Sequence, residues 1–345
     1  MIDSCRTLDA EVIVADNASS DGSAGMLAKE FPAVRVIALE ENYGFTGGYN
    51  KAVAQLAAGP GAPEYIVLAN SDLEVGEGWL EPLVGYMDTH PDCAACGPKI
   101  HALEACGAED AREYRRSGRF EYAGAAGGCL DRFGYPFCRG RVGKRTEEDR
   151  GQYDSVKDVM WVSGACMLVR TAVWTELGGL DARFFAHMEE IDFCWRAQLA
   201  GYRVALVPQS TVWHLGGGTL PQDSPLKLKL NYRNNLLMLD NNLAATAGRR
   251  KAAVRIWTRK ALDLGSALVY LLQGRRECFR AVLDAHREYR RLSDAGAAGK
   301  AAVKAAGTAD RHSPAGPYGI CILLQAALRG DRIFEYLMNR YENCN

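Results

Sequence analysis

Apolar residues come in short runs, each of which stops at a polar, turn-forming cluster. Val12-Ile13-Val14-Ala15 stops at Asp16-Asn17-Ala18-Ser19-Ser20-Asp21-Gly22, which predicts a buried strand ending in a polar loop. The pattern then predicts a helix through Met26 and Leu27, a strand from Val34 to Leu39, a loop from Glu40 to Thr46 and a helix from Gly47 to Leu56. A third run, Tyr65-Ile66-Val67-Leu68-Ala69, ends at Asn70-Ser71-Asp72. Strands alternating with helices predict an α/β domain, a mainly parallel sheet flanked by helices. Ligands of such sheets sit beyond the carboxyl ends of the strands, where these Asp and Asn residues fall.

Residues 106–155 are rich in Gly, Arg, Glu and Tyr without a clear period and read as an insertion or mobile loop. Apolar order resumes at Val159-Met160-Trp161-Val162 and Ala165-Cys166-Met167-Leu168-Val169, on either side of Ser163-Gly164. A helix is predicted from Glu189 to Ala200 and a strand from Val204 to Val207. The α/β domain thus ends near residue 225. Residues 226–292 read as a basic, amphipathic helical segment, with Val254, Trp257, Ala261, Leu264, Leu268 and Leu271 forming one apolar stripe. An Ala/Gly-rich linker over 293–316 and a last amphipathic helix within 317–345 complete the chain.

With 345 residues, 48% of them hydrophobic, the chain can bury a substantial core. A formal net charge of −1 excludes a whole-molecule basic field for nucleic acid, yet the charge is polarised. Residues 226–292 hold 15 Lys+Arg against 5 Asp+Glu, which leaves an acidic remainder. Eleven cysteines, an odd number, with no signal peptide at Met1, read as reduced thiols in the cytoplasm. Cys93 and Cys96 form a lone C-x-x-C with no second pair at zinc-site spacing. No stretch of about 20 residues is uninterrupted apolar, so a spanning helix is not expected.

Three constellations can carry chemistry. Asn70-Ser71-Asp72 puts an amide and a carboxylate two residues apart at a strand end, suited to a hard divalent cation on phosphate oxygens; alone, it reads more readily as an Asx-turn closing the loop. Glu189-Glu190-Ile191-Asp192 opens a helix with three carboxylates. Glu189 and Asp192 share a face there, and a cleft-facing acid with a raised pKa suits a general base. Its bland alternative is a solvated helix start complementing the dipole. His214, in Val212-Trp213-His214 before Gly216-Gly217-Gly218, is either a packed imidazole or a metal ligand. The turn Asn42-Tyr43-Gly44-Phe45-Thr46-Gly47-Gly48-Tyr49-Asn50 runs into a helix and can face phosphates, but it is not G-x-G-x-x-G.

Taken in order, these segments resemble the family 2 glycosyltransferases of the GT-A fold, a Rossmann-like architecture, and in particular the bacterial rhamnosyltransferase-like branch that builds cell-surface polysaccharide. The resemblance runs from about residue 10 to 240 and includes Val14 to Ser23, Glu41 to Asn50, Leu68 to Asp72, Ser163 to Met167, Glu189 to Asp192 and Trp213-His214. It implies that Asp16 and Asn17 line the nucleotide pocket, with Asp21, Asn42, Gly47, Asn50 and Asn70 as further donor-side candidates. Asp72 and His214 would hold Mg2+ or Mn2+. Glu190 occupies the base position of the family's Glu-Asp motif. Its longer side chain is a departure that keeps Glu189 and Asp192 as rivals. Arg233, in Tyr232-Arg233-Asn234, would pair with phosphate.

Relatives begin with one further βα unit. Met1-Ile2-Asp3-Ser4-Cys5 looks like the tail of its helix, so the resemblance implies that the first βα unit is missing from this sequence. The implied activity is inverting transfer from a nucleotide-sugar donor to a lipid-linked or polysaccharide acceptor, by a cytoplasmic enzyme in peripheral contact with the inner face of the plasma membrane. The rival readings are a non-catalytic binding or scaffold protein with an incomplete donor pocket, and a nicotinamide oxidoreductase that the glycine spacing disfavours.

Overall fold

A computed structural model describes residues 2, 10–59, 61–106, 113–216, 224–295 and 317–342. The expected helix tail at residues 1–5 lies outside them apart from Ile2, as do most of the linker and Gly217-Gly218. The chain begins β1 (Ile13–Asp16), α1 (Ser23–Glu30), β2 (Arg35–Ala38), α2 (Gly44–Ala57), β3 (Tyr65–Ala69), β4 (Leu73–Val75), α3 (Glu81–Thr89) and β5 (Cys93–Cys106). Then come β6 (Glu113–Phe120), β7 (Gly128–Leu130), β8 (Pro136–Cys138), β9 (Arg141–Val142), β10 (Arg145–Thr146), β11 (Lys157–Asp158) and β12 (Cys166–Arg170). The rest is α4 (Thr171–Glu176), α5 (Glu189–Leu199), β13 (Arg203–His214), α6 (Pro225–Ala247), α7 (Arg249–Leu272), α8 (Arg276–Ala295), α9 (Ile322–Arg329) and α10 (Ile333–Leu337).

The central sheet runs β11-β13-β5-β12-β3, with β4 added to β13 and β6 to β5. Its pairings are mixed, which corrects the expected mainly parallel sheet. Only β13 with β5 is parallel there, while β1 and β2 form a separate parallel pair. Parallel neighbours need long crossovers, which β1-α1-β2 provides, whereas β12 enters from the Ser163-Gly164 turn and runs against both β3 and β5. Alternation then sorts the side chains. Met167 and Val169 of β12 and Val204 and Leu206 of β13 pack on one face with Phe193, Trp195 and Leu236 of α5 and α6. Leu168, Ala205 and Val207 pack on the other with Leu83 and Met87 of α3. Strand β13 is longer than expected and carries its register shift between Leu206 and Thr211, around Pro208, which has no N–H to donate.

Residues 113–155 are not a loop. Strands β7 to β10 form a four-stranded antiparallel sheet, and β6 joins the central sheet. These strands are too short to show a period. Phe137 and Val142 of the small sheet pack against Ile320, Ile322, Ile333 and Leu337, so the C-terminal segment covers it. That segment is α9 and α10 broken at Gly330 (φ 56°), not one helix.

Helix α7 is built inside out. Its buried positions are Ala252, Arg259, Asp263 and Ala267, with Arg259 paired to Asp263 at 2.7 Å. The apolar stripe faces outward, with Val254 65%, Trp257 74% and Leu268 54% exposed.

Candidate active site

The ends of β1, β3 and β13 open into one cavity of about 1980 Å3, walled also by α2, the turn before α5, β8, β9 and the inner sides of α6 and α7. Asn17 ties one wall together. The Asn17 amide donates to Gly44 O (2.9 Å) and Asn42 Oδ1 (3.1 Å), and its carbonyl accepts from Tyr43 N–H (3.0 Å). Gly44 sits at φ 70°, and a Cβ there would meet the Phe185 ring at 2.5 Å, so only glycine fits. Asp16, Asn42 and Asp21 line the same wall. Asp21 accepts from Ser23 N–H and Oγ–H at the start of α1, and these bonds hold its carboxyl below the usual range.

Across the cavity, β4 pairs with the end of β13 and brings Asp72 to His214. Asp72 Oδ1 lies 3.1 Å from His214 Nε2, and the Asn70 amide lies 3.3 Å from the same nitrogen. Glu121 Oε2 stands 3.4 Å from Nδ1 on the other side of the ring. Burial pulls the imidazole down, but Asp72 and Glu121 outweigh it and hold the ring charged, at about 9. The bond to His214 likewise lowers Asp72.

The third wall is the turn that leads into α5. Phe185, His187 and Met188 all have positive φ (64°, 72° and 72°), a costly run for non-glycine residues. Helix α6 holds it in place. The Asn234 amide donates to the carbonyls of Phe184, Ala186 and His187 (2.7–2.9 Å), and Arg233 donates to Phe184 O at 2.7 Å. The turn delivers Glu189 and Glu190 to the cavity, each with an Oε2 that has no hydrogen-bond partner. Gly164 gives Glu190 its room, since a Cβ there would stand 3.2 Å from Phe45 and 3.4 Å from Glu190. Burial pushes Glu190 up to about 7. Glu189, only 3% exposed, is pushed higher by burial and by the neighbouring Glu190.

The family model described as "Glycosyl transferase family 2" matches residues 1–140, and "Glycosyl transferase family group 2" matches 138–272. Over 287 residues the chain is 27% identical to the N-acetylglucosaminyl-diphospho-decaprenol L-rhamnosyltransferase of Mycobacterium tuberculosis, covering 80% of this chain and 89% of that protein. The chain belongs to glycosyltransferase family 2. This glycosyltransferase is also 25% identical over 205 residues to the O-antigen biosynthesis protein RfbC of Myxococcus xanthus, covering 59% of this chain and 15% of that one. A crystal structure of S. aureus TarS aligns at 14% identity with a TM-score of 0.44, covering 85% of this chain and 87% of that one. The core of this glycosyltransferase is mixed α/β with a helical C-terminal region.

The glycosyltransferase brings Asp16, Asn17, Asp21, Asn42, Asn70, Asp72, Glu189, Glu190 and His214 to one cavity. It gives four other candidates structural work. Asp192 is fully buried, 2.8 Å from Arg196, and accepts from Asn241 and Asn242 of α6. Asn50 exchanges two hydrogen bonds with the Leu180 backbone, and Gly47 lets α2 pass Tyr43. Arg233 is spent on Glu288 and the Phe184 turn, with no face left for a phosphate.

A divalent cation would fit Asp72 and His214 by displacing the proton on Nε2 that now lies between them. Ligands at about 2.1 Å and right angles stand about 3.0 Å apart, close to the observed 3.1 Å, and Mg2+-type ions need only one or two protein ligands beside phosphate and water. Glu121, which the sequence did not flag, is a second carboxylate 3.4 Å from the ring's far nitrogen, an ion contact without a hydrogen bond.

The raised carboxyls have a stability consequence. The folded state keeps protons that the unfolded chain releases above about pH 4.5, so stability falls as pH rises. Thermal unfolding should show Glu189→Gln more stable than the parent at pH 8 and nearly equal to it at pH 4.5. An advantage independent of pH would contradict the assignment.

Proposed function

We propose that this glycosyltransferase moves a sugar, rhamnose in the first instance, from a nucleotide-diphosphate donor to a hydroxyl of a lipid-diphosphate-linked or polysaccharide acceptor, with inversion, in cell-surface polysaccharide synthesis. The observation that carries the reading is Glu190, raised to about 7 and unpartnered at Oε2, in the same cavity as Asp72 and His214. A carboxylate poised near working pH is matched to taking a proton from a sugar hydroxyl. The deprotonated oxygen attacks the anomeric carbon as the bond to the diphosphate oxygen breaks on the opposite side, a single displacement that inverts configuration. Mg2+ or Mn2+ held by Asp72 and His214 would neutralise the departing diphosphate. Asp16, Asn17 and Asn42 line the nucleotide end.

The Mycobacterium tuberculosis relative is named for a diphospho-decaprenol acceptor, which supports a lipid-linked acceptor here. No helix of the described residues is long and apolar enough to cross a membrane. The outward face of α7 supports peripheral contact at the inner face of the membrane, with Arg249, Arg250 and Lys251 exposed at its start. Each basic residue near an anionic surface adds about 1 kcal/mol.

Glu190→Gln should abolish transfer while donor and Mn2+ affinity stay within twofold, because a base acts in the transition state. The parent's kcat should rise with pH through about 7, a value belonging to the Glu189–Glu190 pair. Near-normal turnover in the variant removes the assignment. Absence of donor binding in the parent favours the non-catalytic reading instead. For the membrane, co-sedimentation should show salt-sensitive binding to anionic vesicles that weakens when Arg249, Arg250 and Lys251 become Glu. No binding to anionic or neutral vesicles sinks the membrane reading.

A further inference from the structure

The same cavity is lined also by Tyr122, Tyr135, Pro136 and Tyr232. Two buried guanidiniums face it. Arg259, 4% exposed, is already neutralised: its Nε donates to Asp263 at 2.7 Å, Asn235 Oδ1 accepts a second bond, and Tyr135 stacks 3.9 Å away.

Arg141 of β9 has no such partner. It is 5% exposed, and no carboxylate of the described residues pairs with it. Its Nε has no hydrogen-bond partner. What it does have is a long contact to Pro136 O (3.4 Å), one to Cys138 Sγ (3.2 Å), and the Tyr122 ring 4.8 Å from its Cζ. The Cys138 thiol cannot serve as the anion, since burial pushes it further towards the neutral form. Glu121 is within electrostatic reach but is engaged with His214 and the Ala123 N–H. A guanidinium does not shed its proton, so burying it without an anion costs several kcal/mol. A cost of that kind, on the wall of a substrate cavity, is offset when a ligand brings the anion.

We propose that Arg141 anchors a phosphate subsite for the acceptor, gripping the diphosphate of a lipid-diphosphate-linked sugar whose hydroxyl faces Glu190. This rests on the transfer reading above. The planar fork of arginine matches two phosphate oxygens. The donor carries a diphosphate too, but its anchor is the Asp72–His214 pair. Arg141 stands instead beside Pro136 O, next to the Tyr135 ring on which Arg259 of α7 stacks, and the opposite face of that helix carries the apolar stripe.

The test compares the parent with Arg141→Met and Arg141→Lys, using a GlcNAc-diphosphate-lipid acceptor and the same sugar on a neutral lipid. Folding is checked by thermal unfolding. For the diphosphate acceptor, Arg141→Met should raise KM about ten- to hundredfold, the value of a lost charge-assisted bond, with Arg141→Lys in between. Use of the neutral acceptor and the KM for donor should move less than twofold. Equal loss on both acceptors makes Arg141 a structural pin and overturns the proposal. A rise confined to the donor KM assigns the subsite to the donor and overturns it as well. No change in a parent that transfers sugar does the same, whereas a parent without donor hydrolysis fails the transfer reading itself.

Discussion

Everything at the acidic wall of the cavity depends on how α6 grips the chain around α5. Asp192 is buried with no exposure, and its carboxylate is bonded by Arg196, Asn241 and Asn242. Removing one member would strand an uncompensated charge, a loss of about 3–5 kcal/mol in comparable buried pairs. Two turns earlier in α6, Asn234 collects three carbonyls of a segment that would not hold its left-handed residues unaided. The strained turn and the start of α5 are therefore fixed by the same helix. The two glutamates between them, Glu189 and Glu190, are aimed by residues that never touch substrate.

The metal side is organised differently. Asp72 follows β3 by three residues and His214 closes β13, strands that are not neighbours in the sheet. The short strand β4 closes the distance by pairing Leu73 with His214 directly. Glu121 then approaches the ring from a segment that enters only because β6 and the small sheet fold back over β5. The same excursion of the chain supplies Arg141 and Tyr135 to the cavity wall.

Much of this was legible along the chain, for a physical reason. Residues at strand ends such as Asp16, Asn70 and Asp72 interrupt apolar runs, and Glu189-Glu190 opens a helix behind two aromatics, so pattern and chemistry coincide. The small sheet was not legible, because strands of two or three residues carry no period. Neither Glu121 nor Arg141 stands in a motif; their roles come from burial beside groups distant in sequence. The reverse failure is Asp192, Asn50 and Arg233, polar residues near the motifs whose hydrogen bonds go to backbone and partner side chains. Helix α7 shows the limit of periodicity: the stripe through Trp257 and Leu264 was readable, but only the buried Arg259–Asp263 pair reveals that the polar side faces in.

The most direct measurement is a crystal structure with Mn2+ and a nucleotide-sugar analogue, with manganese located by anomalous scattering. The account predicts one manganese bonded to Asp72 and to His214 Nε2 at about 2.0–2.3 Å, the donor diphosphate on it, and the Glu190 carboxylate facing the anomeric carbon across room for one acceptor hydroxyl. A nucleotide bound with manganese elsewhere, or with Glu190 turned away from the sugar, would contradict it.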